Sequence, residues 1–163
     1  MNYSSKQGTT IVELTLYMGL LSIFILIIFN LFTTVLSTQT RSTATSLVQT
    51  NGNFLLSKLT HDINQADSIV LPLTINSTSS AMTLKIGTTN ASYSISNGRI
   101  VLTDSAGTYN LNDADTTVSD FVVQRLGNSG GLPGLQITFT LTSNVVDNSN
   151  IKSKTFNTFA TLR

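Results

Sequence analysis

Residues 14–36 read LTLYMGLLSIFILIIFNLFTTVL, a run without a charged side chain that dominates the first quarter of the chain. About 20 apolar residues in a helix are enough to cross the hydrocarbon core of a bilayer. Apolar side chains would lie on every side of this helix, so it lacks the polar face of a helix in a soluble core. The run is also longer than the apolar region of a secretory signal peptide, and no A-x-A-like site follows it. It therefore predicts a membrane-spanning helix.

Glu13 immediately precedes this run and is not explained by a simple membrane anchor. A carboxylate drawn towards the bilayer centre costs about 3 kcal/mol, so such residues usually have a partner and a function. The other charges before the run are the amino terminus and Lys6, which do not form the basic cluster that marks a cytoplasmic flank. We expect a positively charged partner for Glu13; a plain membrane anchor is the alternative.

Residues 6–14, KQGTTIVEL, resemble the type IV prepilin signature, in which a short basic leader ends in Gly and the mature chain has Glu as its fifth residue. The resemblance implies cleavage between Gly8 and Thr9 by a prepilin peptidase, followed by N-methylation of Thr9. It also implies that Thr10 and Glu13 belong to the assembly motif. In this family the new amino terminus of one subunit is thought to meet the Glu of its neighbour, which would supply the partner of Glu13.

The same resemblance implies an order of segments along the chain. A leader at 1–8 precedes a transmembrane and polymerisation helix at 9–36, an amphipathic continuation of that helix at 37–66, and a β-rich globular head at 67–163. The chain would cross the cytoplasmic (inner) membrane once, with the short N-terminus on the inside of the cell and the head on the outside. The assembled protein would then belong to an extracytoplasmic pilus or pseudopilus.

The continuation of the helix shows an amphipathic pattern from Leu47 onwards. Residues at spacings of three and four predict one buried stripe, and its members are Leu47, Val48, Asn51, Phe54, Leu55, Lys58, Leu59, Asp62, Ile63 and Ala66. Gly52 interrupts this helix and is expected to weaken it by about 1 kcal/mol relative to Ala. The end, residues 59–66, resembles the L-x-x-D-I-x-x-A stretch of minor pilins and of the larger minor pseudopilins of type II secretion.

After Ala66 the apolar period changes to two, which indicates strands. The predicted strands are Ser68–Ile75, Ala81–Ile86, Ser92–Ser96, Arg99–Thr103, Thr117–Leu126, Leu135–Thr142 and Thr155–Leu162. Asn97-Gly98 predicts a two-residue hairpin turn because both residues tolerate positive φ. The expected fold class is α+β: a long N-terminal helix packed on an antiparallel sheet, as in type IV pilin-like proteins.

The residue types of the chain argue against catalysis and against metal or cofactor binding. There is no Cys, and His61 is a single histidine expected at the surface. Residues 112–115, NDAD, lack the spacing of a calcium loop and are interpreted as a turn. We therefore expect no enzyme activity, no catalytic residues, no metal and no cofactor.

The charges of the head argue against nucleic acid. From Asp67 onwards there are six Lys or Arg (Lys85, Arg99, Arg125, Lys152, Lys154, Arg163) and six Asp (Asp67, Asp104, Asp113, Asp115, Asp120, Asp147), so the net charge is zero. Binding of nucleic acid depends largely on phosphate neutralisation, which a neutral surface does not supply. Arg125 is interpreted as one of several scattered, solvated surface charges.

The expected function is structural: a minor pilin or pseudopilin that initiates, caps or decorates a type IV pilus-like filament. Its expected partners are other pilin or pseudopilin subunits, prepilin peptidase, the inner-membrane assembly platform and, before assembly, the lipid bilayer. A major pilin and a filament-tip module for DNA uptake or surface attachment are the alternatives. The copy number of the subunit in purified filaments would separate a minor from a major pilin.

Overall fold

The computed structural model describes residues 10–127, 131–145 and 152–163 of the chain. A single helix, α1, spans Ile11–Gln65. The chain divides into two compact units, one ending at Gln39 and one covering Thr40–Arg163. In the first unit, every described residue is exposed. This part of α1 is long and apolar enough to cross a membrane, in agreement with the sequence-based prediction of a single span.

The strands of the second unit are antiparallel, so the fold class is α+β, as predicted. Within the described ranges they are β1 (Ser68–Leu71), β2 (Thr78–Ser79), β3 (Ala81–Ile86), β4 (Thr89–Ser96), β5 (Arg99–Asp104), β6 (Gly107–Asn110), β7 (Thr116–Leu126), β8 (Gly134–Ser143) and β9 (Ser153–Thr161). They form two sheets where one was expected. Sheet I has the order β1-β3-β4-β5-β6, and sheet II has the order β2-β7-β8-β9.

Strand prediction failed where apolar alternation is short or absent. The predicted strand Ser68–Ile75 stops at Leu71, because Pro72 has no N–H to continue the ladder. β2 and β6 were not predicted, since β2 has only two residues and the side chains of β6 remain largely exposed. The other predicted strands are confirmed, with ends that differ by a few residues.

The Asn97-Gly98 turn is confirmed and also contacts the other sheet. Asn97 has φ 50° and Gly98 has φ 70°, and the turn joins β4 to β5. The Gly98 carbonyl accepts a hydrogen bond from the Val118 N–H at 2.7 Å. Because Val118 lies on β7, the tip of a sheet I hairpin is bound to the first part of a sheet II strand.

The core of the second unit combines one face of α1 with the inner faces of both sheets. From α1 it contains Val48, Leu55, Leu59 and Ile63, which are almost completely buried. The predicted stripe was wrong about Phe54, whose side chain is 52% exposed. The strands contribute Met82, Leu84, Tyr93, Ile100, Val123, Leu135, Ile137, Phe139, Leu141 and Phe156, among others.

Gly52 is a point of close packing, which the sequence analysis treated only as a weak point of the helix. A Cβ at this position would overlap the ring of Phe156 from β9. Phe156 is itself buried and stacks on Phe139, with ring centroids 5.4 Å apart and 19° between the ring planes. The missing side chain therefore lets the ring of Phe156 approach the backbone of α1.

Asp62 joins α1 to sheet I through a buried hydrogen bond. The Tyr93 hydroxyl, on β4, donates to Asp62 Oδ2, and Lys58 Nζ lies 2.9 Å from Asp62 Oδ1. Burial, followed by the hydrogen bond and the negative charge of Asp62, raises the pKa of Tyr93 far above its ordinary value. Tyr93 therefore stays protonated and serves as the donor that compensates the buried carboxylate.

Arg125 is not a solvated surface charge, so this interpretation was wrong. Its Nη1 donates to the carbonyl oxygens of Pro72 at 3.0 Å and Leu73 at 2.8 Å. The Arg125 carbonyl in turn accepts from the Asn76 N–H at 2.7 Å. Arg125 thus satisfies backbone groups of the segment that leaves sheet I after Pro72 has ended β1.

We expect Gly52→Ala to destabilise the second unit by about 1–3 kcal/mol, because overpacking against the fixed Phe156 ring outweighs the helix propensity gain of about 1 kcal/mol. Urea unfolding of the detergent-solubilised protein measures the change. Gly19→Ala is the matched control, since a Cβ there meets no atom within 4 Å. A Gly52→Ala protein at least as stable as the parent would show that Phe156 does not require this glycine.

We expect Tyr93→Phe to lower the free energy of unfolding at pH 7 by about 1.5–3 kcal/mol, because Asp62 loses a donor to a buried charge. The raised pKa also predicts that the parent loses stability above about pH 10, where the unfolded state releases a proton that folded Tyr93 retains. Tyr93→Phe has no hydroxyl group to titrate at this position, so it should not show this part of the loss of stability above pH 10.

Urea unfolding between pH 7 and pH 11 tests both statements, with Tyr109→Phe as the control because the Tyr109 side chain is 47% exposed. Parallel stability curves for the parent and Tyr93→Phe above pH 10 would contradict the assignment. Equal stability of the two proteins at pH 7 would show that the Tyr93 hydroxyl is not needed by Asp62.

Candidate functional site

Thr10 caps the N-terminus of α1. Its Oγ1 accepts a hydrogen bond from the Glu13 N–H at 3.3 Å, and its carbonyl accepts from the Leu14 N–H at 3.1 Å. This is the Thr-x-x-Glu spacing of a capping box, in which the cap satisfies an N–H without a partner inside the helix. Such a cap contributes about 1 kcal/mol to helix stability. Thr10 and Glu13, which the sequence analysis assigned to the assembly motif, are thus brought together in the first turn.

The carboxylate of Glu13 has a partner that the sequence analysis missed. The Tyr17 hydroxyl, one helical turn further on, donates to Glu13 Oε1 at 3.1 Å. The spacing of four residues could have revealed this pair, because such side chains are neighbours on a helix surface. Among the described residues, the Glu13 side chain accepts a hydrogen bond from Tyr17 alone.

No cation from the apolar part of the helix can balance Glu13, since residues 10–40 contain no Lys or Arg. The partial positive charge of the helix N-terminus favours a carboxylate in the first turn by about 0.3–1 kcal/mol. That is less than the cost of about 3 kcal/mol for a charge drawn into the bilayer. The helix terminus therefore does not by itself offset that cost.

The side chains that follow Glu13 form a continuous exposed apolar surface. Every large apolar side chain from Ile11 to Leu36 is exposed, with values between 46% at Leu36 and 82% at Ile11. Soluble monomers rarely expose apolar patches larger than a few hundred Å², so a surface of this kind belongs in lipid or against other protein.

The polar side chains within the run are satisfied by the helix itself. Ser22 Oγ donates to the Met18 carbonyl at 2.8 Å, and Asn30 Nδ2 donates to the Leu26 carbonyl at 3.1 Å. Thr15, Thr33, Thr34, Ser37 and Thr38 donate in the same way to carbonyls three or four residues earlier. Such local bonds lower the cost of placing hydroxyl and amide groups in hydrocarbon.

Gly8 and Thr9, the predicted cleavage site and methylated amino terminus, lie outside the described residues. No group of three or more His, Cys, Asp or Glu that could hold a metal occurs in the described part of the chain. His61 is exposed, as expected.

The turn interpretation of residues 112–115 is confirmed. Asn112 is buried, its Oδ1 accepts from the Ile100 N–H at 2.9 Å, and its Nδ2 donates to the Thr116 carbonyl at 2.9 Å. The side chain therefore links β5 to the start of β7 and is fully engaged in holding the turn.

Comparisons with known proteins do not identify a family: no family model, no curated protein and no solved structure matches the chain.

Proposed function

We propose that the chain is a minor pilin or pseudopilin, a structural subunit that initiates, caps or decorates a type IV pilus-like filament. The observation that carries the proposal is the start of α1, where one capped carboxylate precedes an exposed apolar run and residues 10–40 contain no Lys or Arg. The fold is compatible, because the same helix continues into the core of a β-rich unit. The chain would be held in the inner membrane until it joins the filament.

Two physical requirements favour polymerisation over simple anchoring. A helix with apolar side chains on all sides needs an apolar environment, and other copies of the same helix supply one outside the bilayer. Glu13 needs a positive charge, which an amino terminus at Thr9 of a neighbouring subunit would provide. A charge-assisted contact of this type is worth about 1.5–3 kcal/mol. A plain anchor has the first requirement but no use for Glu13.

In this proposal prepilin peptidase cleaves between Gly8 and Thr9, Thr9 is N-methylated, and the inner-membrane assembly platform lifts the subunit from the bilayer. Thr10 would cap the new helix terminus, which keeps Glu13 in the first turn. The resemblance of residues 59–66 to minor subunits favours the minor over the major role. The same residues include Asp62 and Ile63, which lie in the core.

We expect the mature protein in assembled material to begin at Thr9 and to carry one added methyl group. Intact mass spectrometry of sheared filaments measures this directly. The same protein expressed without prepilin peptidase is the control and should retain residues 1–8. Assembled protein that retains Met1, or that is cleaved beyond residue 36, would exclude prepilin-type processing.

We expect Glu13→Gln to be inserted and cleaved normally but to enter filaments at least tenfold less, because the intersubunit charge contact is lost. The ratio of sheared-filament to membrane-bound protein, at equal expression, measures incorporation. Asp120→Asn is the matched control, as it makes the same chemical change at an exposed carboxylate of the second unit. Glu13→Asp keeps the charge with a shorter reach and should be intermediate.

Tyr17→Phe separates this contact from a role within the helix. It removes the hydrogen bond to Glu13 Oε1 but leaves the charge, so incorporation should stay close to that of the parent. If Tyr17→Phe is as defective as Glu13→Gln, the pair acts inside one helix. If Glu13→Gln is incorporated normally, Glu13 is not an assembly contact.

A further inference from the structure

The outer face of sheet II, turned away from the core, consists mostly of uncharged hydrogen-bonding side chains. Cross-strand neighbours on β7, β8 and β9 form five rows. In strand order they are Thr117-Thr142-Ser153, Ser119-Thr140-Thr155, Val122-Thr138-Asn157, Gln124-Gln136-Phe159 and Leu126-Gly134-Thr161. We call these five rows the neutral face.

None of the fifteen residues in the five rows is charged, although the chain has 17 charged residues. The outer face of sheet I has a similar content of Ser and Thr but includes Lys85 and Arg99. Sheet II also has charged residues outside these rows. Asp120 borders the second row at the bulge of β7, where its Oδ2 accepts a hydrogen bond from Ser119 Oγ at 3.2 Å. Arg125 binds carbonyl groups of the segment after β1, and Lys154 Nζ lies 5.2 Å from the Phe156 ring centroid. An uncharged surface gives no electrostatic attraction to an anionic or cationic polymer.

Hydrogen bonds between β8 and β9 hold several polar side chains of the neutral face in place. The Oγ1 atoms of Thr140 and Thr155 are 3.0 Å apart, and Thr142 Oγ1 donates to Ser153 Oγ at 3.2 Å. Each of these hydroxyl groups has further capacity to donate or accept. The face therefore offers a fixed array of hydroxyl groups, which a ligand can bind at a small loss of side-chain entropy.

Phe159 adds an aromatic surface at one end of the array. Its side chain is 55% exposed and lies over Gly134 on β8, where a Cβ would be 2.6 Å from Phe159 Cζ. Gln136 Nε2 donates to Asn157 Oδ1 at 3.4 Å beside this ring. An exposed ring flanked by amide groups combines an apolar contact with hydrogen-bonding groups.

The dimensions of the neutral face do not suit a second protein. It runs from Gly134 to Thr142 along β8, about 27 Å, and covers three strands, so its area is about 400 Å². A stable protein interface buries about 800 Å² on each partner around an apolar centre. The apolar side chains of the face are Val122 and Leu126 on β7 and Phe159 on β9, whose ring lies over Gly134, the β8 partner of Leu126. Three such side chains towards one end of a polar face are too few for an apolar centre of this kind.

From these observations we infer that the neutral face binds an uncharged polysaccharide. The C–H groups on one side of a sugar ring stack on the exposed ring of Phe159, because aromatic faces attract the weakly positive hydrogens. The amides of Gln136 and Asn157 bind the hydroxyl groups of that sugar, and the rows of Thr and Ser bind those that follow. Binding at this face is separate from the role proposed for Glu13.

The test uses the full chain in detergent micelles and measures sedimentation with microcrystalline cellulose or chitin, as neutral probes, and with alginate beads, as an anionic probe. We expect saturable binding to at least one neutral probe that persists at high salt. Phe159→Ala should reduce the affinity about tenfold, because it removes one stacking contact and the apolar area that this contact buries. Circular dichroism verifies that this exposed position does not affect folding.

Two threonine variants locate the binding surface. Thr155→Lys places a long charged side chain on the neutral face and should abolish binding. Thr103→Lys is the matched control, because Thr103 is also exposed and also pairs with a threonine, Thr108, at 3.3 Å, but on the outer face of sheet I. This variant should bind like the parent.

Three results would overturn the inference. They are no binding of the parent to either neutral probe, binding to alginate alone, and equal binding by Thr155→Lys and Thr103→Lys. Self-association of the parent that Thr155→Lys abolishes, without polysaccharide binding, would instead assign the neutral face to a second copy of the chain. If the Glu13→Gln protein still binds the neutral polysaccharide, the inference stands even where the proposed role of Glu13 in filament assembly is disproved.

Discussion

Burial of one face of α1 between Ala44 and Ile63 is the interaction on which the second unit depends. Leu55, Leu59 and Ile63 are fully buried, and each contributes about 1.5–3 kcal/mol relative to an exposed side chain. Both sheets need this helix, because their inner faces meet the same cluster of side chains. The turn at Gly98 and the side chain of Arg125 then connect sheet I to sheet II through backbone hydrogen bonds.

The two carboxylates of α1 are placed in different surroundings. Asp62 is buried, but it has a hydroxyl donor in Tyr93 and a cation in Lys58. Glu13 is exposed, and within the described residues its side chain accepts a bond from Tyr17 alone. A carboxylate in an apolar environment is stable only when its charge is compensated. Asp62 is compensated within the chain, whereas Glu13 has no Lys or Arg among residues 10–40, and for this reason we propose that it acts between molecules.

The distribution of charge on the second unit differs between the outer faces of its two sheets. Lys85 and Arg99 lie on the outer face of sheet I, whereas the residues of the neutral face are uncharged and Asp120 borders them at the bulge of β7. A surface subunit of a filament would present its head to the surroundings. An uncharged array of hydroxyl groups with one exposed aromatic ring would then favour neutral polymers over charged ones.

The sequence by itself determined the features that depend on neighbouring residues. These are the apolar run at 14–36, the buried stripe around Leu55 and Leu59 and the Asn97-Gly98 turn. Each follows from local periodicity or turn chemistry, which one stretch of chain contains completely. The grouping of Thr10 with Glu13 in one motif came from the resemblance to the prepilin signature. The hydrogen bond between Tyr17 and Glu13 could have been predicted in the same way, from their spacing of four residues.

Only the tertiary structure decided what depends on residues far apart in the chain. The division into two sheets follows from strand pairing, and Gly52 is required by a ring more than a hundred positions later. The sequence alone indicates a surface charge at Arg125, and only the folded chain shows that it binds the carbonyl groups of Pro72 and Leu73. The neutral face exists only because the pleat and register of three strands turn their uncharged residues to the same side.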